Sequence, residues 1–453
     1  MTEKDFSKEL MDWCGVIEDN TKIPPEKFNN YKVKRGLRNS DGTGVLAGLT
    51  NIGNVHGYNV YDDDRIPDDG RLSYRGISVA DIIADCEEEN RFGYEEVCYL
   101  LLFGKLPTEH ELSDFCEVLA SMRALPFGFR EDMIMKSPSP DIMNKLARSV
   151  LSLYSYDENP DSTDLYNLIR QSLSLIARAP SMVAYAYQTK RHYYDGQSMF
   201  IHSPNPELKS AENFLYMIRP DNKFTDFEAK VLDVAFILHA EHGGGNNSAF
   251  TAHVVSSSGS DTYSAIAAAV GSLKGPKHGG ANAKVMGMIE DFKANITDIN
   301  DKEQIANHIR KILRKESYDH SGLVYGMGHA IYTVSDPRAV ILKKYAKKLA
   351  EQTGNMEEFN LYNYIEELTP DIFHEMKGPK VMCANVDMYS GLVYKMLNIP
   401  PELYTPIFAI ARMVGWCAHR IEEVLYGGKI IRPAYKSVTK NKEYTTFKDR
   451  NID

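Results

Sequence analysis

The chain has 453 residues, 43% of them hydrophobic and 25% charged, the balance of a soluble globular protein with room for two to four domains at roughly 100 to 200 residues each. Lys and Arg number 52 against 62 Asp and Glu, a net charge of -10. This excludes the broad positive field of a general nucleic-acid or anionic-membrane binder, so an anionic ligand has to be held by a local basic cluster.

The opening MTEKDFSKELMDW has no apolar or Arg-rich targeting pattern, and no run approaches the roughly 18 apolar residues of a membrane span, so the expected location is the cytoplasm. The six cysteines (Cys14, Cys86, Cys98, Cys116, Cys383, Cys417) contain no Cys-x-x-Cys pair, which is the usage of reduced cytosolic thiols. Apolar residues recur mainly three and four apart, predicting an all-α, multi-helical protein. The exception is residues 58–75, where a Tyr/Val stretch, a turn-rich segment from Asp62 to Gly70 and Leu72 to Tyr74 predict at most a small hairpin. A Leu-rich helix over 93–103 follows, stopped by Gly104, and then the capping-box spacing of Thr108 and Glu111. Ser139 reads as an N-cap, with Pro140 at the first position of a helix to Tyr156; further helices are predicted over 162–187 and 226–240. In the second half they fall at 261–274, from Asn282 onward, 303–316, 336–351, 390–397 and 405–426. The polar stretch 354–380 is expected to hold one short helix around Tyr362, and the charged segment 436–453 to be a free tail or an arm laid on a partner.

Chemistry-bearing residues gather in five places. His239-Ala-Glu-His242-Gly-Gly-Gly-Asn-Asn-Ser248 closes an apolar helix; the two histidines are either metal ligands on one face, or one core and one pocket residue beside a glycine helix stop. Gly275-Pro-Lys-His278-Gly-Gly-Ala-Asn282 sets His278 in a tight turn, either as a surface loop residue or as a well-positioned group. Gly326-Met-Gly-His329 leads into Asp336-Pro-Arg338, a start that puts Arg338 in a first helical turn, where free N–H groups favour an anion. In Asn385-Val-Asp387-Met-Tyr-Ser390, Asp387 or Ser390 is an N-cap unless the carboxylate is functional. Arg412 stands inside an apolar stretch from Phe408 to His419 and is the hardest of these to dismiss, because a buried arginine needs an anionic partner. Arg432 follows in Ile-Ile-Arg-Pro.

In this order, HAEHGGGN, GPKHGGAN, GHAIYTVSDPR, NVDMYSG, FAIARMVGWCAH and IIRP, with Leu72-Ser-Tyr-Arg-Gly76 and residues 94–107, resemble the citrate synthase family over roughly residues 40 to 435. The resemblance implies a two-domain helical fold: a large domain of residues 1–280 and 393–453, and a small domain of about 281–392 between its parts. It implies condensation of acetyl-CoA with oxaloacetate and hydrolysis of citryl-CoA in the same site. Asp387 then matches the base that deprotonates the acetyl methyl group, His278 the donor to the thioester oxygen, and His329 the histidine that polarises the oxaloacetate carbonyl. His242 matches a further oxaloacetate contact, while Arg338, Arg412 and Arg432 match the arginines that clamp its carboxylates. The last of these comes from the neighbouring subunit, so a homodimer is implied. CoA is expected against Leu323, Val324, Gly326, Met327 and Gly328, with Lys377 and Lys380 as candidates to hold its phosphates. No cofactor or metal is implied. The same resemblance admits a 2-methylcitrate synthase using propionyl-CoA, or a non-catalytic relative that binds CoA or a dicarboxylate.

Overall fold

Helices dominate the computed structural model, which describes residues 7–61 and 64–450: seventeen α-helices stand among the described residues beside one three-stranded sheet. The helix Asp226–His239 illustrates why. Thr225 caps it by accepting from the Glu228 N–H at 3.2 Å, while the Glu228 carboxylate accepts from the Thr225 N–H at 2.8 Å. Val231, Leu232, Phe236, Ile237 and Leu238 are buried on every side, which marks it as a central helix rather than a surface one. Its one buried carboxylate, Asp233, accepts from the N–H groups of Gly93 and Tyr94 at 2.7 and 3.3 Å and so caps the Tyr94–Phe103 helix. Leu165–Tyr193 and Tyr404–Glu422 are also buried along most of their length.

The chain forms two compact units. One comprises Met1–Leu46 with Arg432–Asp453; the other is Ala47–Ile431. In the first, the described helices are Ser7–Thr21 and Pro25–Asn30, and Lys27 Nζ donates to the Val438 carbonyl at 3.3 Å. The C-terminal segment therefore lies against the N-terminal segment of its own chain. The second unit holds the sheet, the remaining α-helices and every chemistry-bearing residue named above except Arg432. No helix among the described residues is long and apolar enough to cross a membrane.

Several local expectations are corrected. The hairpin is longer than residues 58–75: β1 (Gly53–Tyr61) pairs antiparallel with β2 (Asp64–Tyr74), and a short β3 (Ile77–Ser78) adds to β2. Asp64 to Gly70 is therefore strand and not turn, while Asp62 and Asp63 lie outside the described residues. Polar side chains serve there because they pair with one another: across the strands His56 Nε2 lies 2.6 Å from Asp68 Oδ2, and within β2 Arg71 Nη2 lies 2.9 Å from the same oxygen. Residues 354–380 hold not a short helix but Met356–Lys377, with Pro370 inside it. Its buried stripe, Phe359, Tyr362, Ile365, Thr369 and Ile372, keeps helical spacing beneath a charged outer face. Asp141, not Ser139, caps the helix that starts at Ile142, accepting from the Asn144 N–H at 2.8 Å. The helix expected at 390 starts at Val386. Asn247–Ser257 and Ser210–Ile218 are helices that polar or small residues hid from a periodicity reading.

The sheet supports the segment that follows His329. A Cβ on Gly57 would fall 2.7 Å from the Ile331 carbonyl, and one on Gly70 would fall 2.1 Å from the Ser335 carbonyl; here only a hydrogen fits. Gly70 N–H also donates to Ser335 Oγ at 3.0 Å, and Asp68 N–H to Thr333 Oγ1 at 3.2 Å. Gly70→Ala is expected to force the 331–337 segment outward and to cost about 1–3 kcal/mol. A lowered denaturant midpoint measures this, and an unchanged midpoint would contradict it.

Candidate active site

Arg412 is 1% exposed and lies on the Tyr404–Glu422 helix. Its Nε donates to the His239 carbonyl at 2.6 Å, which is free because the Asp226–His239 helix ends there. Both terminal nitrogens, Nη1 and Nη2, are buried with no hydrogen-bond partner. Burial brings its pKa down to about 10. Two unsatisfied donors on one charged, dry group are costly, at about 1–3 kcal/mol each or more, so the arrangement calls for an anion. The guanidinium lies 4.8 Å from the Phe408 ring centre, and the same ring stacks on His239 at 4.2 Å. His239 Nε2 in turn lies 3.0 Å from the Tyr394 hydroxyl.

His242 sits past the helix end, so the two histidines do not share a face: His239 turns to Phe408 and Tyr394, and His242 to His329 and Tyr332, with ring centres 5.2 and 5.6 Å away. The metal-pair reading of His239 and His242 has no support in this geometry. Burial, then the charge of Arg338, holds His242 well below the usual histidine range, with His329, Arg412 and His278 adding to the effect. Its Nε2 is buried and unpartnered. His329 Nδ1 accepts the N–H groups of Ile331 and Tyr332, both at 3.1 Å. In the neutral ring the proton is therefore on Nε2.

Arg338 occupies the first turn of Pro337–Thr353, as the Asp-Pro-Arg spacing predicts, but it is buried rather than exposed. It grips Asp336 by two bonds, Nε to Oδ1 at 3.0 Å and Nη2 to Oδ2 at 2.7 Å, while Asp336 also caps the helix through the Arg338 N–H at 3.0 Å. A planar fork matched to a carboxylate fixes the guanidinium plane.

His278 is half-buried in the turn between Thr262–Leu273 and Ala281–Asn295. The turn closes by His278 N–H to the Gly275 carbonyl at 2.9 Å and Gly279 N–H to the Leu273 carbonyl at 3.0 Å. Nε2 lies 3.0 Å from Ser248 Oγ and 3.1 Å from Asn246 Oδ1, and Trp416 Nε1 donates to the same Ser248 oxygen at 3.0 Å. Burial and the Arg412 charge bring the ring down to about 4, so it is neutral near pH 7.

Asp387 stands in the first turn of Val386–Met396; Asn385, not Asp387 or Ser390, is the cap, accepting the Asp387 N–H at 3.0 Å. The Asp387 Oδ1 is buried and unpartnered. Burial pushes its pKa up to about 7; Arg338 pulls against this and Asp336 adds to it. A Cys383 carbonyl takes the Gly328 N–H at 2.7 Å, the Asn385 N–H donates to the Gly326 carbonyl at 2.8 Å, and Asn385 Nδ2 donates to the Gly328 carbonyl at 2.9 Å. These bonds lock the 323–328 loop to the start of the Asp387 helix. Gly326 has φ +83 and no room for a Cβ against Met388. Leu323 is exposed and Val324 buried, and Met327 bridges to Ala384.

His242, His278, His329, Arg338, Arg412 and Asp387 thus form one electrostatically linked group. Lys377 and Lys380 are exposed, at and just beyond the end of Met356–Lys377. Arg432 is exposed and belongs to the other compact unit. Asn246, Ser248, Trp416, Tyr332, Phe408 and Asn385 were not picked out as site residues by sequence reasoning. All stand inside the quoted motifs, so proximity to a candidate was their only signal.

The family model for the C-terminal domain of citrate synthase matches residues 40–434. The citrate synthase of Synechocystis sp. is 35% identical over 89% of this chain and 90% of its own. The 2-methylcitrate synthase 1 of Corynebacterium glutamicum is 30% identical over 91% of this chain and 97% of its own. The solved ternary complex of Thermoplasma acidophilum citrate synthase with carboxymethyl coenzyme A and oxaloacetate superimposes with a TM-score of 0.76 at 26% identity, covering 92% of this chain and 99% of that one. A helical fold with a small sheet, a buried guanidinium open to an anion and this span of similarity lead to one assignment: the chain belongs to the citrate synthase family.

Proposed function

We propose that this protein is a citrate synthase, an acyltransferase that joins acetyl-CoA, oxaloacetate and water into citrate and free CoA. The observation that carries the reading is the fully buried Arg412 with both Nη atoms unpartnered, beside the neutral histidines and the buried Asp387. A small dicarboxylate supplies the acceptors that both Arg412 Nη atoms lack, and Arg338 can offer a second guanidinium to it. The partner subunit of a homodimer contributes the third arginine, Arg432, in this reading.

Oxaloacetate binds first against Arg412, Arg338 and His242. His329 donates its Nε2 proton to the keto oxygen, draws electron density from the carbon and makes it electrophilic. The acetyl methyl group is a weak acid, so its deprotonation needs both a strong base and stabilisation of the enol. Asp387, lifted to about 7 by burial, is a stronger base than an ordinary carboxylate and is still ionised in part near neutrality. His278, neutral, accepts the Ser248 hydroxyl at Nε2, keeps its proton on Nδ1 and donates from there to the thioester oxygen as charge develops. The enol carbon attacks the polarised carbonyl, and water then cleaves citryl-CoA with release of CoA. This reading needs no cofactor.

CoA lies along residues 323–328, whose backbone is tied to the Asp387 helix, with Lys377 and Lys380 toward its phosphates. The small domain, residues 281–392, closes over oxaloacetate and keeps water from the thioester until condensation. The protein works in the cytoplasm.

The 2-methylcitrate synthase among the relatives gives a second reading, in which propionyl-CoA uses the same site. One methylene changes binding by only about 1–3 kcal/mol. Purified protein with oxaloacetate, a thiol reagent and either acyl-CoA decides: faster CoA release from acetyl-CoA is expected, a preference for propionyl-CoA selects the second reading, and no release from either rejects both.

Asp387→Asn is expected to lower kcat by about 100- to 10,000-fold with the fold and oxaloacetate binding retained. In the unaltered protein kcat/KM should fall as pH drops through about 7, where Asp387 takes up its proton. Near-normal turnover of the variant would remove Asp387 from the role of base. Arg412→Leu is expected to raise the oxaloacetate KM by about 30-fold or more, the equivalent of about 2 kcal/mol or more for one side of a desolvated charge pair. Steady-state kinetics against oxaloacetate measures it.

A further inference from the structure

Two imidazoles outside the catalytic group face each other. His253, on Asn247–Ser257, and His419, on Tyr404–Glu422, bring Nε2 and Nδ1 to 3.0 Å. The other nitrogen of each ring meets a carboxylate: His253 Nδ1 lies 2.7 Å from Glu423 Oε2, and His419 Nε2 lies 3.0 Å from Glu241 Oε1. Ionised carboxylates only accept, so both outer nitrogens carry the hydrogens. In two neutral rings the inner nitrogens are then bare lone pairs pointed at one another, which is repulsive unless a positive charge lies between them. A third donor is close. Glu422 Oε2 is buried without a hydrogen-bond partner and lies 3.9 Å from His419 Nδ1, and the three ligand atoms all fall within 4.8 Å of one another.

We propose that His253 Nε2, His419 Nδ1 and Glu422 Oε2 form a binding site for a divalent cation of the zinc class, apart from the catalytic group. Tetrahedral zinc with bonds near 2.0–2.1 Å spaces its ligand atoms roughly 3.3 Å apart, and the separations of 3.0 and 3.9 Å bracket that figure. Zinc-bound histidines ordinarily give their second N–H to a carboxylate, and Glu423 and Glu241 are in that position for both rings. The ligand spacing on the helix, His419 and Glu422, puts both on one face one turn apart.

The site adjoins the loop that carries His242. A Cβ on Gly244 would lie 3.4 Å from His419 Cε1 and 3.5 Å from His253 Nε2, so the loop backbone passes directly over the two rings. A bound cation holds His419, His419 holds Glu241, and Glu241 accepts from the Gly243 N–H. The cation therefore braces the loop and takes no part in the chemistry.

The full chain, stripped with a chelator and desalted, is titrated with Zn²⁺ by calorimetry. One-to-one binding and a raised melting temperature are expected. Co²⁺ in the same site should give ligand-field absorption without a thiolate charge-transfer band, which separates it from the cysteines. Glu422→Gln, nearly isosteric, and His253→Ala should each abolish one-to-one binding, and Glu423→Gln should weaken it about 10- to 100-fold. Circular dichroism checks the fold of each variant; should His253→Ala fail to fold, Glu422→Gln decides. No saturable binding by the stripped chain would mean that a shared proton joins the rings and would overturn the proposal. Binding unchanged in Glu422→Gln would overturn it as well.

Discussion

A guanidinium held in a dry interior with two of its nitrogens unsatisfied is the constraint on which the candidate site depends. Arg412 comes from a helix buried along its length, and its single bond goes to the carbonyl that the end of another helix leaves open. Such a charge is tolerated only if the surrounding packing is strong enough to hold it or a ligand neutralises it. That resolves the opposition between a net charge of -10 and an anionic substrate. The field that matters is local: Arg412 and Arg338 stand beside His242 and His278, both held below the usual histidine range.

The histidines show how environment assigns role to one side-chain type. His329 accepts two backbone N–H groups at Nδ1, so its remaining proton points the other way. His278 is anchored at Nε2 by Ser248 and Asn246 and kept neutral by burial. His242 is held low by burial and then by the charges of Arg338 and Arg412. Asp387 moves in the opposite direction because burial penalises the ionised carboxylate more than Arg338 stabilises it. A carboxyl raised toward 7 and an imidazole lowered to about 4 in one group is the combination the proposed proton abstraction from a weak carbon acid calls for.

Fold class and the main helices were legible in the sequence because they depend on three- and four-residue apolar spacing and on local caps, as at Thr108. Met356–Lys377 was not, because Pro370 and a dense outer charge masked its six buried residues. The long β2 was missed for a related reason: Asp68 and Gly70 look like turn residues until cross-strand partners and a close backbone neighbour account for them. Of the candidate site, His278, His329, Asp387, Arg338 and Arg412 were recognisable as motifs. Their supports were not, since the bond from Trp416 to Ser248 spans 168 positions of chain and no local spacing encodes it.

Glu241 shows why the loop after Asp226–His239 takes one shape. Gly53 and Gly415 leave room for this carboxylate: a Cβ on the first would lie 2.8 Å from Glu241 Cγ, and one on the second 2.5 Å from its Oε2 and 2.4 Å from the Ala240 carbonyl. Burial alone pushes Glu241 toward the neutral acid, but the His419 ring and the Arg412 charge outweigh it and hold the group ionised. A buried anion thus lies between a cationic guanidinium on one side and a histidine pair on the other. If the pair binds a cation, the ionised Glu241 screens that charge from Arg412. If Glu241 were neutral, the bonds its Oε1 accepts from His419 and from the Gly243 N–H would lose their charge assistance, and the backbone that presents His242 would be held more weakly. The loop glycines permit the path, and this one carboxylate selects it.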